Sequence, residues 1–175
     1  MCGGETGRPS FGGTIAVLFP QENELNSSFS SDVSLSSSPD SVASSASTSS
    51  STSYISSYSL FFRDTGIGRH TTKAIFRTND TNTYNALRGC KYLHMRIEKY
   101  GDLSMTTSAS PPLHRFRLDV AQDVAHHSSD SQAQLEFELP QRLDLGVSEK
   151  GVVGRQVTVR EEGGAVLGVG VVGYN

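Results

Sequence analysis

The stretch Leu93-His94-Met95-Arg96-Ile97-Glu98 decides the fold, because three bulky apolar residues alternate with three polar ones. That is the period-2 signature of a strand with one buried face. The same alternation returns on either side of it. Phe116, Leu118 and Val120 alternate with Arg117 and Asp119, and Leu135, Phe137 and Leu139 with Glu136 and Glu138. Val153, Val157 and Val159 frame a further strand with Gln156 and Thr158 facing away, while Ala165, Leu167, Val169 and Val171 alternate mostly with glycine. Turn chemistry separates these segments at Tyr100-Gly101-Asp102, Ser110-Pro111-Pro112, His127-Ser128-Ser129-Asp130, Ser148-Glu149-Lys150-Gly151 and Glu162-Gly163-Gly164. Short strands spaced in this way predict a sandwich, jelly roll or barrel. Tyr84, Ala86 and Leu87 ahead of Gly89 predict one short helix over 83–89, capped by the glycine. The expected class is all-β, a jelly-roll-like sandwich with one short helix.

Upstream the composition changes abruptly. Of the 34 residues from Ser27 to Leu60, 19 are serine and none is lysine or arginine. So few bulky apolar groups cannot offset a backbone ordering cost of roughly 1–2 kcal/mol per residue. The expected division is a disordered Ser-rich N-terminal arm over 1–60 and a β-sandwich module over 61–175. Met1–Gly13 is glycine-rich and reads as flexible, and Thr14–Phe19 reads as a single strand or a short linear motif within the arm. Ser31-Asp32 and Ser38-Pro39-Asp40 suit the arm to be a kinase substrate, each phosphate adding about −1.5 to −2 charge, with a passive linker as the equal alternative.

The formal charge of −3 hides an asymmetry. Arg63 to Arg117 carries ten Lys/Arg against four Asp/Glu, whereas Leu118 to Asn175 carries four against nine. A basic first half and an acidic second half fit two faces of one sheet assembly, an RNA-facing surface beside a neutralising one, or complementary charges scattered around a soluble domain. Cys2 and Cys90 are the only cysteines and neither lies in a CxxC or Cys/His run, which argues against a disulfide scaffold and against zinc. The longest apolar stretch, Ile15–Pro20, is far below the ~20 residues of a membrane-spanning helix. With no secretory pattern at the N-terminus, the expectation is a soluble intracellular protein, with peripheral membrane association left open.

Asp64-Thr65-Gly66, preceded by Leu60-Phe61-Phe62, resembles the catalytic loop of retroviral-type aspartic proteases, with Val171-Val172-Gly173 in the place of their later apolar-apolar-Gly element. In those enzymes two aspartates share a proton and activate water. This is the alternative, enzymatic reading. His70, His94, His114, His126 and His127 show no i, i+4 pairing of a zinc protease, so no metal and no cofactor are expected. Nucleic-acid binding has broader support. Arg63, Arg69, Lys73, Arg77, Arg88, Lys91, Arg96, Lys99, Arg115 and Arg117 are interleaved with Phe61, Phe62, Phe76, Tyr84, Tyr92, Tyr100 and Phe116. Cations neutralise phosphates and exposed rings stack on the bases of single strands.

From Asn85 onward the order of elements is similar to the core of the thirty-kilodalton superfamily of plant-virus movement proteins. Leu87-Arg88-Gly89-Cys90-Lys91 enters an apolar strand, and Phe116-Arg117-Leu118-Asp119 ends in an aspartate before a polar loop. Leu135-Glu136-Phe137-Glu138-Leu139-Pro140, Gln156-Val157-Thr158-Val159 and the terminal run Ala165–Val172 follow. The resemblance implies that Asp119 holds a turn at the sheet edge. It further implies a viral accessory protein that binds single-stranded RNA, associates with membranes and plasmodesmata, and forms homo-oligomers in the host cytoplasm or at the cell periphery. The expectation is therefore a non-enzymatic RNA-binding protein, with the protease and a small capsid-like subunit as alternatives.

Overall fold

Each alternating segment supplies a strand, but Val153 lies in the turn before its strand. In the last strand, register puts Val172 opposite the inward Ala16 and sets Val169 and Val171 opposite Thr158 and Gln156 on the outer face, the reverse of the face expected for them. The computed structural model describes residues 13–21, 55–66, 71–103, 111–122 and 133–175. They form β1 (Thr14–Leu18), β2 (Tyr58–Asp64), β3 (Thr72–Thr78), α1 (Thr81–Gly89), β4 (Tyr92–Ile97), β5 (His114–Asp119), β6 (Ala133–Glu138), β7 (Gln156–Glu161) and β8 (Val166–Tyr174). The strands make one antiparallel sheet in the order β5-β4-β7-β8-β1-β2-β3-β6. Its two end strands, β5 and β6, line opposite sides of one cleft floored by Leu118 and Phe137, so the sheet curls until it is nearly closed. The protein is all-β with one short helix.

The alternation explains the interior. Leu60, Phe62, Leu93, Met95, Ile97, Val157 and Val159 point inward and are fully buried, joined by Phe76 and Leu135 at 1% exposure. One end is covered by α1, which contributes Leu87, and the other by the segment after β6, which contributes Leu139, Leu143 and Val152. That second cover is tied to β3, since Leu139 N donates to the Thr72 carbonyl at 2.8 Å and Leu143 N to the Thr72 hydroxyl at 3.0 Å.

The folded part does not begin at residue 61. β1 lies in the middle of the sheet, between β8 and β2, with Ala16 opposite both Val172 and Leu60 and Leu18 opposite Tyr58. Its inward residues Thr14, Ala16 and Leu18 are at most 1% exposed. Without it two neighbouring strands would have unpaired edges, which is the physical reason a five-residue segment belongs to the domain. The serine-rich tract consequently joins two paired strands instead of preceding the domain, and its last residues, Tyr58 to Leu60, are part of β2. Residues 22–54 lie outside the described residues, so the expectation of a disordered arm falls there.

The helix starts two residues earlier than its apolar pattern suggested, because Asp80 caps it. The Asp80 carboxylate accepts from the Thr83 hydroxyl at 2.6 Å, the Thr83 amide at 2.9 Å and the Asn82 amide at 3.4 Å. Gly89 is the last helical residue rather than the cap, and Cys90 leaves in extended conformation. The Thr83 hydroxyl, followed by its amide, holds the Asp80 carboxyl below the ordinary carboxylate range. A lowered folded-state pKa gives stability that is complete above the unfolded value near pH ~4 and is lost as pH falls through the folded value. Thermal melts from pH 7 to pH 3 should therefore show a smaller acid loss for Asp80→Asn than for the wild type, because the amide caps without titrating. An equal acid loss in the two proteins would remove Asp80 from the acid limb.

Candidate nucleic-acid interface

With Leu93, Met95 and Ile97 inside, Tyr92, His94 and Arg96 must face outward from β4. The same parity turns Arg115 and Arg117 outward from β5, and Arg160 from β7, where Thr158 and Gln156 on the same side are nevertheless buried. Register then brings these residues together. Arg96 stands directly opposite Arg115 on one side and Thr158 on the other, and His94 stands between Arg117 and Arg160. Directly opposed side chains have Cβ atoms about 4.5–5.5 Å apart, and like charges so placed repel.

Acid offsets part of this cluster, and Asp119, Glu136 and Glu138 line a cleft together with Arg117. Glu98 Oε1 lies 3.1 Å from Arg96 Nε, an ion pair whose angle falls outside hydrogen-bond geometry. Glu162 stands 3.9 Å from Arg117, at the limit of an ion pair. Among the described residues no carboxylate pairs with Arg115. The Arg117 guanidinium carbon sits 3.6 Å over the Tyr92 ring, and Lys91 Nζ lies 5.3 Å from the same ring. Asp119 closes β5, where its carboxylate accepts from the Ala121 amide at 3.0 Å and holds the turn Val120–Gln122.

The ten basic residues picked from sequence do not make one track. Lys91, Arg96, Arg115 and Arg117 share the β5–β4–β7 face. Arg63 and Arg77 lie on the outer face of β2 and β3, with guanidinium carbons 5.8 and 4.9 Å from the Phe61 ring. Three strands, β7, β8 and β1, separate β4 from β2 in the sheet order, so this is a different wall. Lys73, on β3, is paired with Glu136 and lines the β5–β6 cleft together with Arg117. Arg88 on α1 donates to the Tyr84 hydroxyl at 2.8 Å, Lys99 is exposed beyond β4, and Arg69 lies outside the described residues. Arg160 and His94 were missed as members of the face. Alternation along 156–160 predicts Arg160 outward, but nothing local in sequence says that β7 pairs with β4.

The other sequence candidates have structural places. Asp64 ends β2, and its carboxylate accepts from the Arg142 guanidinium at 2.9 Å and the Thr72 hydroxyl at 3.4 Å. Thr65 bonds Thr71 across the turn, its hydroxyl 2.9 Å from the Thr71 hydroxyl. Asp64 thus ties the end of β2 to the segment after β6 through a carboxylate–guanidinium pair. His114 is stacked on Phe116, with its Nδ1 2.9 Å from Gln141 Nε2, and burial lowers its pKa. Burial likewise pushes the Cys90 thiol up, with the charge of Glu161 adding to it. His70, His126 and His127 lie outside the described residues, and among those described no three His, Cys, Asp or Glu side chains could hold a metal ion. Nor is any described helix long and apolar enough to cross a membrane. No protein-family model matches the chain, and no curated protein matches it significantly.

Proposed function

We propose that the protein is a non-enzymatic accessory protein that binds single-stranded RNA along the outer face of β5, β4 and β7, in the role the movement-protein resemblance implies. One observation carries the reading: Arg96 directly opposes Arg115 across β4 and β5, with Arg117 two residues along on the same face. Such opposition costs folding free energy in the isolated protein, and a polyanion lying along the face relieves it. Lys91 extends the cationic row toward one end of β4, so a backbone following the strands meets several charges in succession.

Filter binding of the full chain to single-stranded RNA over a range of salt tests this. Neutralising about four phosphates gives a slope of log K against log salt near −3. Arg96→Glu combined with Arg115→Glu is expected to weaken binding more than about tenfold and to flatten that slope by about one or more. Arg63→Glu with Arg77→Glu, on the other wall, leaves both unchanged. Absence of binding at low salt, or equal losses from the two pairs, would sink the assignment.

A further inference from the structure

We propose that Arg117, laid on the ring of Tyr92, makes this face select unpaired bases, purines above pyrimidines, over duplex. The inference rests on the RNA reading above and adds to it the residue on which a base stacks and the class of base. The guanidinium carbon is 3.6 Å from the ring centroid, the contact distance of two stacked planes. A nitrogen aimed straight at the ring would come about 1.3 Å closer than that carbon, inside contact distance, so the stacked arrangement is the one that fits. One of its faces is covered by Tyr92. The side chain is nevertheless 56% exposed, which leaves the other face open to solvent.

A flat, delocalised cation with one open face is a stacking surface for a base. Backing by an aromatic ring keeps it from swinging away when the base arrives. The neighbours suit this use, because a base resting on Arg117 would leave its phosphates beside Arg115 and Arg96, one cross-strand step along the face. Other cation–ring pairs among the described residues lack this contact. Arg77 and Arg63 stand 4.9 and 5.8 Å from Phe61, Arg88 5.8 Å from Tyr84, and Lys91 5.3 Å from Tyr92. A duplex keeps its base faces inside its own stack, so it can use the phosphate contacts of the face but not this one. Purines, with the larger π surface, gain more from it than pyrimidines.

The test is fluorescence anisotropy of the full chain at one salt concentration with labelled oligo(A), oligo(U) and duplex RNA of equal length. The expected order of affinity is oligo(A), oligo(U), duplex. Arg117→Lys keeps the charge and loses the planar face. It should lower oligo(A) affinity about tenfold while changing duplex affinity and the salt slope little. Arg115→Lys leaves the oligo(A)-to-duplex ratio as it is, and Tyr92→Leu, which removes the backing ring, lowers it. An unchanged ratio in Arg117→Lys, or an equal drop in Arg115→Lys, overturns the stacking role while RNA binding stands. A wild-type protein that binds none of the three probes overturns the RNA reading and this inference together.

Discussion

Gly170→Ala is expected to lower stability by about 3 kcal/mol or more, read as a shift in the urea midpoint. A Cβ at residue 170 would lie 2.1 Å from the Val17 carbonyl oxygen and 3.0 Å from its carbon, both backbone atoms of β1. A flexible side chain could move aside, but a carbonyl inside a sheet cannot do so without taking its strand with it. The methyl would therefore push β1 away from β8. The isolated bridge Phe19–Val169, whose two backbone bonds are each 2.9 Å, flanks the site and would be strained first. Gly173→Ala is the control, because in the same strand its Cβ would meet only the Ile15 carbonyl oxygen at 3.9 Å, an ordinary contact. Equal midpoints for the two variants would show that β1 and β8 are not held as closely as described.

The second large effect is expected at Arg155. Its guanidinium donates to four backbone carbonyls, those of Gly151, Lys99, Ser148 at 3.0 Å and Glu149 at 2.6 Å. One charged fork thus satisfies a tight loop and joins it to the end of β4. The loop itself is compact. Asp144 accepts from the Gly146 amide at 2.9 Å and the Ser148 hydroxyl at 2.6 Å, and a Cβ on Gly151 would strike the Gly146 carbonyl at 2.1 Å. Charge-assisted hydrogen bonds contribute about 1.5–3 kcal/mol each, but water can reach some of these carbonyls once the arginine is gone. Arg155→Met should consequently cost about 2–4 kcal/mol in all. Hydrogen exchange should quicken at the Val152 amide, which bonds the Asp144 carbonyl at 2.9 Å, and at the Gln156 amide, which bonds the Tyr100 carbonyl at 3.0 Å. Arg155→Lys should recover little, since a point charge cannot reach four divergent acceptors. Full stability in Arg155→Met, or full recovery in Arg155→Lys, would refute the fork.

Much of the fold was legible because a strand half-buried in a sheet writes its two faces into alternate residues. That is how Leu93, Met95 and Ile97 were read as interior, and how Arg96, Arg115 and Arg117 were read as basic positions beside apolar ones. β1 was harder to place. Five residues between a glycine-rich stretch and a serine-rich one carry too few side chains to advertise a partner, and the pairing surface is backbone. Arg155 gave no signal either, because its role depends on carbonyls and carbonyls are the same in every residue. At Asp64-Thr65-Gly66, the triplet that resembles a catalytic loop, the carboxylate is engaged by Arg142 from a distant segment, a contact that no local pattern announces.

By itself, then, the sequence determined the all-β class, the short helix, which side chains of β4, β5 and β6 face in or out, and an excess of cations between Arg63 and Arg117. These are local properties, set by the two-residue period of extended backbone and by residue chemistry. Only the tertiary structure decided that the serine-rich tract joins two paired strands, that β7 lies beside β4, and that the cations divide between two walls. Strand order and register depend on long-range backbone pairing, which no side-chain period encodes. That pairing sets Arg96 against Arg115 and brings Arg160 to the side of His94.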